Sequence, residues 1–332
     1  MAQVLLNETD GRIKELYGEY QAPIASIIME RDEQLKKNSI ARKIFAERPS
    51  THSIEGYGAT TAIDSFAPVG ENGQYPSGGF ESGYFNALRN VTWKGSFGIS
   101  MEAQEDISIM DMKRAPAGFF SDYERKFEGF FAALLGNAIQ GKTEFSVKGQ
   151  TFSTKTADGV CLFSKSHAPK VTGTNQSNIF SNALSAEALF AIMTEMQNLK
   201  DDNNNTMNIC PDTIIIPNIA SLKLALLQIV GTNRTPGTAN NDFNPLFENF
   251  NIITWQRLND FVSPGTSPYV LMDSHYNEIV DCAIFQNRKE LTLRDEIAAN
   301  DAYKWYGNAR FTGGFVDFRS MVVGGVTGGT AA

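Results

Sequence analysis

Residues 55–90 constrain the fold most, because they are rich in Gly, Ser, Pro and aromatic residues yet lack any pattern that builds a core. Their sequence is EGYGATTAIDSFAPVGENGQYPSGGFESGYFNALRN, in which helical periodicity is almost absent. A segment of this length without a core-forming pattern is unusual inside a compact domain. Its aromatic side chains, which argue against a solvated linker, are Tyr57, Phe66, Tyr75, Phe80, Tyr84 and Phe85. We therefore expect surfaces outside the segment to bury them.

The next stretch, VTWKGSFGIS at 91–100, alternates between apolar and polar residues. One side carries Val91, Trp93, Phe97 and Ile99, and the other carries Thr92, Lys94, Ser96 and Ser100. A two-residue period is typical of a strand with one covered face. A glycine-rich excursion that returns on such a strand predicts a long two-stranded loop.

The clearest helical pattern lies at 117–140. Its apolar residues recur at steps of three and four and form one stripe, which consists of Phe120, Tyr123, Phe127, Phe130, Phe131, Leu134, Ala138 and Ile139. Pro116 lies just before it, where helix starts tolerate proline. The stripe predicts one long amphipathic helix whose aromatic face is core or interface.

Helical and strand patterns alternate from about residue 180 onward. Helices are predicted over SAEALFAIMTEMQNLKD, with Ser185 as its N-cap, and over NIASLKLALLQIV, with Asn218 as its N-cap. The predicted strands are DTIIIP, NIITW, YVLMD, EIVDCAIF and LTLRDEI, and the C-terminal stretch NARFTGGFVDFRSMVVGGV is also strand-like. There is no internal repeat. These patterns together predict an α+β fold.

Composition narrows the functional classes. The 332 residues include 29 Lys and Arg against 37 Asp and Glu, a net charge of −8, so the chain is a poor candidate for wrapping nucleic acid. The three cysteines, Cys161, Cys210 and Cys282, lie far apart without the spacing of a disulfide framework or a zinc site. Neither a signal peptide nor an apolar run of the ~18 residues that span a bilayer is apparent. We expect a soluble protein made in a reducing cytoplasm.

One literal motif match points to a nucleotide hydrolase. Gly136 to Thr143 fits the phosphate-loop pattern G-x-x-x-x-G-K-T, with Lys142 as its lysine, and Asp273 after YVLM could hold magnesium. The chemistry requires the loop to follow a strand and to open a helix. Here the match ends a helix and precedes a strand, and Gly141 is typical of a helix C-terminus. The match therefore stays a weak alternative.

No other pattern predicts catalysis, a metal or a cofactor. The three histidines, His52, His167 and His275, are not spaced as ligands, and His167 has no partner that a motif places beside it. The acidic stretch at 201–205 lacks the spacing of a calcium loop. We expect a protein that is not an enzyme and that carries no cofactor.

The order of features resembles the major capsid proteins of tailed bacteriophages with the HK97-type fold, most closely the Mu-like head subunits. The resemblance covers roughly residues 55–325. It rests on the glycine-rich excursion and its return into GISMEAQEDISIMD, the long helix, DGVCLFSKSHAPKVTGTNQSN, DTIIIP, TPGTANNDFNPLFENFNIITW and the strand-rich end. A loop rich in Gly and aromatics that has no core of its own fits a shell subunit, because such a subunit buries its aromatics against other copies.

The resemblance implies a division of the chain into parts. Residues 1–54 would be an N-terminal arm and 55–99 an extended loop that reaches over a neighbouring subunit. A peripheral domain would comprise 100–179, with a spine helix at 117–140, and the final segment 312–332. An axial domain at 180–311 would bring its loops to the centre of hexamers and pentamers.

The same resemblance implies the site residues and the partners. The loop residues expected to contact a neighbour are Tyr75, Phe80, Tyr84, Phe85 and Trp93, with Lys94 a candidate for a cross-link by position alone. Those expected near a capsomer axis, on the loop at 231–246, are Asn233, Arg234, Pro236, Asn240 and Asn241. The implied partners are other copies of the chain, a separate scaffolding protein, a portal and possible decoration proteins, in a virion that assembles in the host cytoplasm. The shell would face DNA without binding it specifically and would not involve a membrane. An encapsulin-type cargo shell of similar fold stays an alternative.

Overall fold

The computed structural model describes residues 36–60, 68–69, 71, 73–75, 82–100, 114–170, 173–231, 244–297 and 303–326. Most of the predicted N-terminal arm lies outside these residues. So do Phe66, Phe80 and the five residues predicted near a capsomer axis, which are Asn233, Arg234, Pro236, Asn240 and Asn241.

Helices and strands are both present, as an α+β fold requires. The α-helices are α1 Ala41–Ile44, α2 Arg114–Ile139, α3 Ala186–Gln197, α4 Ala220–Val230 and α5 Ser274–Val280, and a 3₁₀ helix spans Gln256–Phe261. The strands are β1 Ala46–Pro49, β2 Ile54–Thr60, β3 Ser82–Arg89, β4 Val91–Ile99, β5 Glu144–Val147, β6 Gln150–Ser153, β7 Thr213–Pro217, β8 Asn251–Trp255, β9 Tyr269–Met272, β10 Ala283–Ile297, β11 Tyr303–Phe315 and β12 Met321–Gly324. No helix of the described part is long and apolar enough to cross a bilayer.

The strands form two four-stranded sheets and two hairpins. One sheet has the order β1-β10-β11-β4, with β1 parallel to β10. The other has the order β12-β9-β7-β8, in which β7 is parallel to β8 and antiparallel to β9. Within the described part of the chain, β2 and β3 pair only with each other, as do β5 and β6. A hairpin outside the larger sheets needs other surfaces to stabilise it, because two strands alone are marginally stable in water.

The chain divides into two compact units. The first comprises Met1–Ser39, Lys94–Phe127 and Thr292–Asn308, and the second comprises Ile40–Trp93, Glu128–Leu291 and Ala309–Ala332. In the first unit Phe97 stacks on Trp305, with ring centroids 4.9 Å apart, and also contacts Phe119. The second unit contains both hairpins and the sheet of β7, β8, β9 and β12.

Helix α2 confirms the predicted aromatic stripe. Its buried residues are Phe120, Phe127, Phe130, Phe131, Ala132, Leu134, Leu135, Gly136, Asn137 and Ala138. The helix begins at Arg114, earlier than predicted, so Pro116 lies in its first turn, where backbone N–H groups have no intrahelical acceptor. It ends at Ile139, and Gly141 follows with a φ of 73°, the left-handed conformation that favours glycine at a helix end.

Trp93 lies in an aromatic cluster of its own subunit. Its ring stacks on Phe311, with centroids 5.0 Å apart, and meets the edge of Phe130 at 5.5 Å. The indole N–H donates to the carbonyl of Phe311 at 3.2 Å. The ring is therefore packed in part within its own chain, and the contact of Trp93 with a neighbour that we expect from the sequence stays a prediction.

The strand that pairs with β2 is not the one that the sequence predicts. The partner of β2 is β3, with Gly56 opposite Ala87 and Gly58 opposite Phe85. The predicted return strand is β4, which lies at an edge of a four-stranded sheet instead. Both strands alternate in burial, so periodicity alone does not identify which of them pairs with β2.

Two further element predictions are corrected. The first three residues of EIVDCAIF belong to α5, and β10 begins at Ala283 and continues through LTLRDEI as one strand. The helix α5 ends before β10 begins because Asp281, between them, adopts a left-handed conformation with a φ of 57°. The carboxylate of Asp281 accepts from Arg48 Nε at 2.5 Å. Asn218 does not cap α4, whose N-cap is Ile219, because the side chain of Asn259 bonds both the N–H and the carbonyl of Asn218. Ser185 does cap α3, by accepting from the N–H of Ala188.

His167 forms a buried ion pair that sequence patterns did not reveal. Its Nδ1 lies 2.6 Å from Asp158 Oδ2, and its ring stacks on Phe318 with centroids 3.8 Å apart. Its Nε2 lies 3.3 Å from Asn178 Oδ1, an oxygen that also accepts from the N–H of Ser164. Both ring nitrogens therefore face side-chain oxygens.

We predict that Trp93→Ala destabilises the free subunit by about 2–3 kcal/mol, because truncation of a half-buried Trp removes ring contacts and leaves a cavity. Denaturant unfolding of the unassembled protein measures this loss. The control is Lys94→Ala, which changes the exposed neighbouring residue and should alter the unfolding free energy by less than about 0.5 kcal/mol. Equal stability of Trp93→Ala and the control would contradict the packing described here.

We also predict that Asp158→Asn destabilises the subunit by about 2–3 kcal/mol near pH 6, because it removes a largely buried carboxylate that contacts His167, Thr156 and the N–H of Val160. Burial acts to raise the pKa of Asp158, but hydrogen bonds from His167, Thr156 and the N–H of Val160 lower it below its ordinary 3.8. The stabilisation by the Asp158 carboxylate is therefore present above about pH 3.8 and is lost as pH falls through the folded-state pKa. The stability gap between wild type and variant should narrow on acidification, and a gap that stays constant to pH 2 would refute the pairing.

Candidate functional site

The hairpin of β2 and β3 is fastened to the chain at its base. The carboxylate of Glu55 accepts from the N–H groups of His52 and Thr51, both at 2.8 Å, and from the hydroxyl of Ser50. These bonds, led by that from the N–H of His52, lower the pKa of Glu55 to about 2. The buried side chain of Asn90 donates to Ser50 Oγ and to the carbonyl of His52. The base is thus fixed by hydrogen bonds rather than by an apolar core.

One face of the hairpin packs against other parts of the second unit, to which the hairpin itself belongs. Asn86 donates to the carbonyl of Phe315 at 2.7 Å, and the hydroxyl of Tyr57 donates to Gln286 Oε1 at 3.2 Å. Leu88 sits so close to Gly314 that a Cβ on that glycine would lie 2.4 Å from Leu88 Cδ2. This face is therefore covered and held in place.

The opposite face of the hairpin is exposed and, apart from Arg89 opposite Ile54, apolar. Ile54 is 52% exposed and Phe85 is 65% exposed, although both are large hydrophobic residues. Between them lie Gly56 and Gly58, and the Phe85 ring lies over Gly56, where an added Cβ would be 2.4 Å from Phe85 Cζ. The hairpin thus presents a flat apolar strip, defined by Ile54, Gly56, Gly58, Phe85 and Ala87, which we call the outer strip.

The other predicted loop residues lie in different surroundings. Tyr75 is almost fully exposed, at 97%. Tyr84 is half-buried, since its hydroxyl donates to the carbonyl of Ala168 and Lys170 Nζ lies 5.8 Å from its ring centroid; burial raises its pKa. Lys94 is exposed on β4. The outer strip and Tyr75 are therefore available to another molecule, whereas Tyr84 already contacts its own subunit.

The geometry of the phosphate-loop match is that of a helix end. Gly141 donates to the carbonyl of Ala138 and Lys142 donates to that of Asn137, so these N–H groups close the last turn of α2. The strand β5 follows at Glu144. Asp273 caps α5 by accepting from the N–H of Tyr276 at 2.8 Å. A phosphate loop needs free N–H groups at a helix N-terminus, so the nucleotide-hydrolase alternative is wrong.

Sequence reasoning missed several exposed apolar residues. Among the described residues these are Ile54, Val69, Phe190, Leu224, Leu227 and Ile279. Periodicity marks such residues only as members of an amphipathic element and does not show which sides the fold covers. Within the same part of the chain no cluster of His, Cys, Asp or Glu could hold a metal ion.

Solved structures with the same fold are capsids. The chain matches the capsid of the cyanophage P-SCSP1u with a TM-score of 0.52 at 10% identity, over 86% of this chain and 87% of that one. It matches the capsid of Myoviridae phage XM1 with a TM-score of 0.50 at 10% identity, over 86% and 90% of the two chains. The capsid of a native GTA particle matches with a TM-score of 0.50 at 10% identity, over 86% and 89%. At such identities the matches establish the fold, which is of HK97 type, as predicted.

Comparison of the sequence with protein families identifies the family of this chain. No curated protein matches the chain significantly. The family described as phage capsid protein, however, matches residues 88–324, well over half of the chain. Members of such a family are structural components of the virion and not enzymes. The chain therefore belongs to the phage capsid protein family.

Proposed function

We propose that copies of this chain form the wall of a head by docking the outer strip of the β2–β3 hairpin on a neighbouring copy. The observation that carries the proposal is the contrast between the two faces of one hairpin. The inner face is bonded to its own subunit through Asn86 and Tyr57, while Ile54 and Phe85 on the outer face stay exposed. Water contact with these side chains costs free energy that burial against another copy would recover.

A closed shell suits such a contact. The outer strip would meet a different surface of the next copy, and head-to-tail contacts of this kind close into rings or shells when their angles allow it. A small strip suffices, because each copy makes several contacts at once and multivalency multiplies their effect. Gly56 has no Cβ, so the Phe85 ring lies directly over its backbone and turns its outer side toward a neighbour.

The structural roles proposed for the parts of the chain follow from the resemblance of its sequence to HK97-type capsid proteins. In this proposal, residues 1–54 act as an arm, 55–99 as the loop, 100–179 and 312–332 as the peripheral domain, and 180–311 as the axial domain. The loop at 231–246 lies near the axis of hexamers and pentamers, and the subunit is of the Mu-like kind. The order of the motifs along the chain supports these assignments.

Partners beyond the chain itself belong to the same proposal. A separate scaffolding protein, a portal and possible decoration proteins would complete the head. The net charge of −8 supports a wall that faces packaged DNA without holding it, because like charge weakens contacts with phosphate.

We predict that Phe85→Glu folds normally but fails to assemble. The ring is exposed in the subunit, so the unfolding free energy should change by less than about 0.5 kcal/mol, whereas a carboxylate buried in a contact without a partner opposes assembly. Sedimentation and negative-stain microscopy of particles from expressing cells measure the yield of shells.

Thr174→Glu is the matched control, since it adds one carboxylate at an exposed position that is not part of the outer strip. It should assemble like wild type. If Phe85→Glu gives shells in the same yield as Thr174→Glu, the outer strip is not an assembly contact.

A further inference from the structure

A polar cleft of about 640 Å³ lies between the β2–β3 hairpin and the β5–β6 hairpin. Its walls are residues 86–92, the strand β6, and Thr312 with Gly313 of β11. This volume is in the range of sites that bind small ligands and short peptides. At about 3.3 Å per residue, the four residues of β6 make a wall about 13 Å long. The cleft is therefore as long as a short extended peptide.

The strand β3 offers a free backbone edge to this cleft. The N–H of Asn90 donates to the carbonyl of Ser53, which places Asn90 in a hydrogen-bonded pair of the β2–β3 ladder. Such pairs alternate along antiparallel strands, so the N–H and C=O groups of Ala87 and Arg89 point away from β2. Both residues line the cleft, and their backbone groups have no other backbone partner among the described residues.

The strand β6 on the opposite wall has a free edge for the same reason. The N–H of Thr154 donates to the carbonyl of Thr143, which sets the alternation of the β5–β6 ladder. The backbone groups of Thr151 and Ser153 therefore point away from β5. Within the described part of the chain the cleft thus lies between two strands that could each accept a further strand.

A buried acceptor without a donor lies in the wall of the cleft. Asn90 is only 8% exposed, and its Nδ2 donates to Ser50 Oγ and to the carbonyl of His52. Its Oδ1 is buried and has no hydrogen-bond partner among the described residues. A buried acceptor of this kind costs free energy until a donor reaches it. Asn90 lines the cleft, so a ligand with an N–H group could supply that donor.

The charge of the cleft selects an acidic ligand. Arg89 is the one charged residue among the described residues that line it, and it is exposed. No ion pair occupies Arg89 within the described part of the chain. One guanidinium suits a single carboxylate, with which it can form two parallel hydrogen bonds. Nucleic acid is a poorer fit, because its binding is built on several cations.

We propose that the cleft binds an extended peptide that carries an acidic side chain. The peptide adds as a strand to the free edge of β3, where backbone hydrogen bonds provide affinity. One of its N–H groups donates to Asn90 Oδ1, and its carboxylate pairs with Arg89. The site is the edge of the hairpin and not the outer strip, so it does not depend on the assembly contact proposed above.

Binding of a defined peptide to purified, unassembled subunits tests the proposal. The probe is the acetylated and amidated pentapeptide Thr-Val-Glu-Val-Thr, and its partner has Gln in place of Glu. Calorimetry should give saturable binding of the acidic peptide with a Kd of about 1 mM or lower, and about tenfold weaker binding of the neutral one. In Arg89→Gln subunits the two peptides should bind equally, because the cation that distinguishes them is gone.

Lys223→Gln is the matched control, since it removes an exposed cation that does not line the cleft, and it should keep the preference for the acidic peptide. Hydrogen–deuterium exchange locates the site, and the peptide should slow exchange at Ala87 and Arg89. Absence of saturable binding, equal binding of the two peptides to wild type, or protection only outside the cleft would overturn the proposal. None of these results would bear on the outer strip, which Phe85→Glu tests through shell yield.

Discussion

A two-stranded hairpin cannot bury both of its faces by itself, and this constraint governs the β2–β3 segment. The inner face is fixed by hydrogen bonds from Tyr57 and Asn86 and by the close approach of Leu88 to Gly314. The outer face, with Ile54 and Phe85, has no such cover among the residues that the structure describes. An exposed apolar face of this kind does not help a monomer to fold. In a capsid protein, a neighbouring copy can cover it.

The inner face of the hairpin packs near an aromatic core. Trp93 stacks on Phe311 and meets the edge of Phe130 close to the start of β4, and Phe131 contacts Phe45, Phe285 and Phe311. Packed protein interiors resist local deformation. The buried pair of His167 and Asp158 adds a hydrogen-bonded contact between segments that carry little regular secondary structure. A strip mounted on such a base keeps its orientation, which repeated contacts in a shell require.

The sequence allowed the fold class and the long elements to be predicted, since a period of three to four residues in α2 and a two-residue period in β4 follow from backbone geometry. The Ser185 cap and the strands β7, β8 and β9 were predicted for the same reason. Strand pairing could not be predicted, because no local pattern distinguishes β3 from β4 as the partner of β2. For the same reason the sequence does not show that Trp93 faces Phe311. For the site, Tyr75 and Phe85 are exposed, and their contact with a neighbour stays a prediction. The exposure of Ile54, Leu224 and Leu227 emerged only once the fold showed which sides were left uncovered.

Assembly through the outer strip requires that its side chains be exposed in the free subunit and covered in the shell. Hydroxyl-radical footprinting, read by mass spectrometry at Phe85 in free subunits and in assembled shells, measures this difference at the side chain itself. We expect Phe85 to be readily oxidised in the free subunit and strongly protected in the shell, while His275, an exposed residue outside the outer strip, serves as the internal reference. Equal oxidation of Phe85 in the two states would contradict the claim.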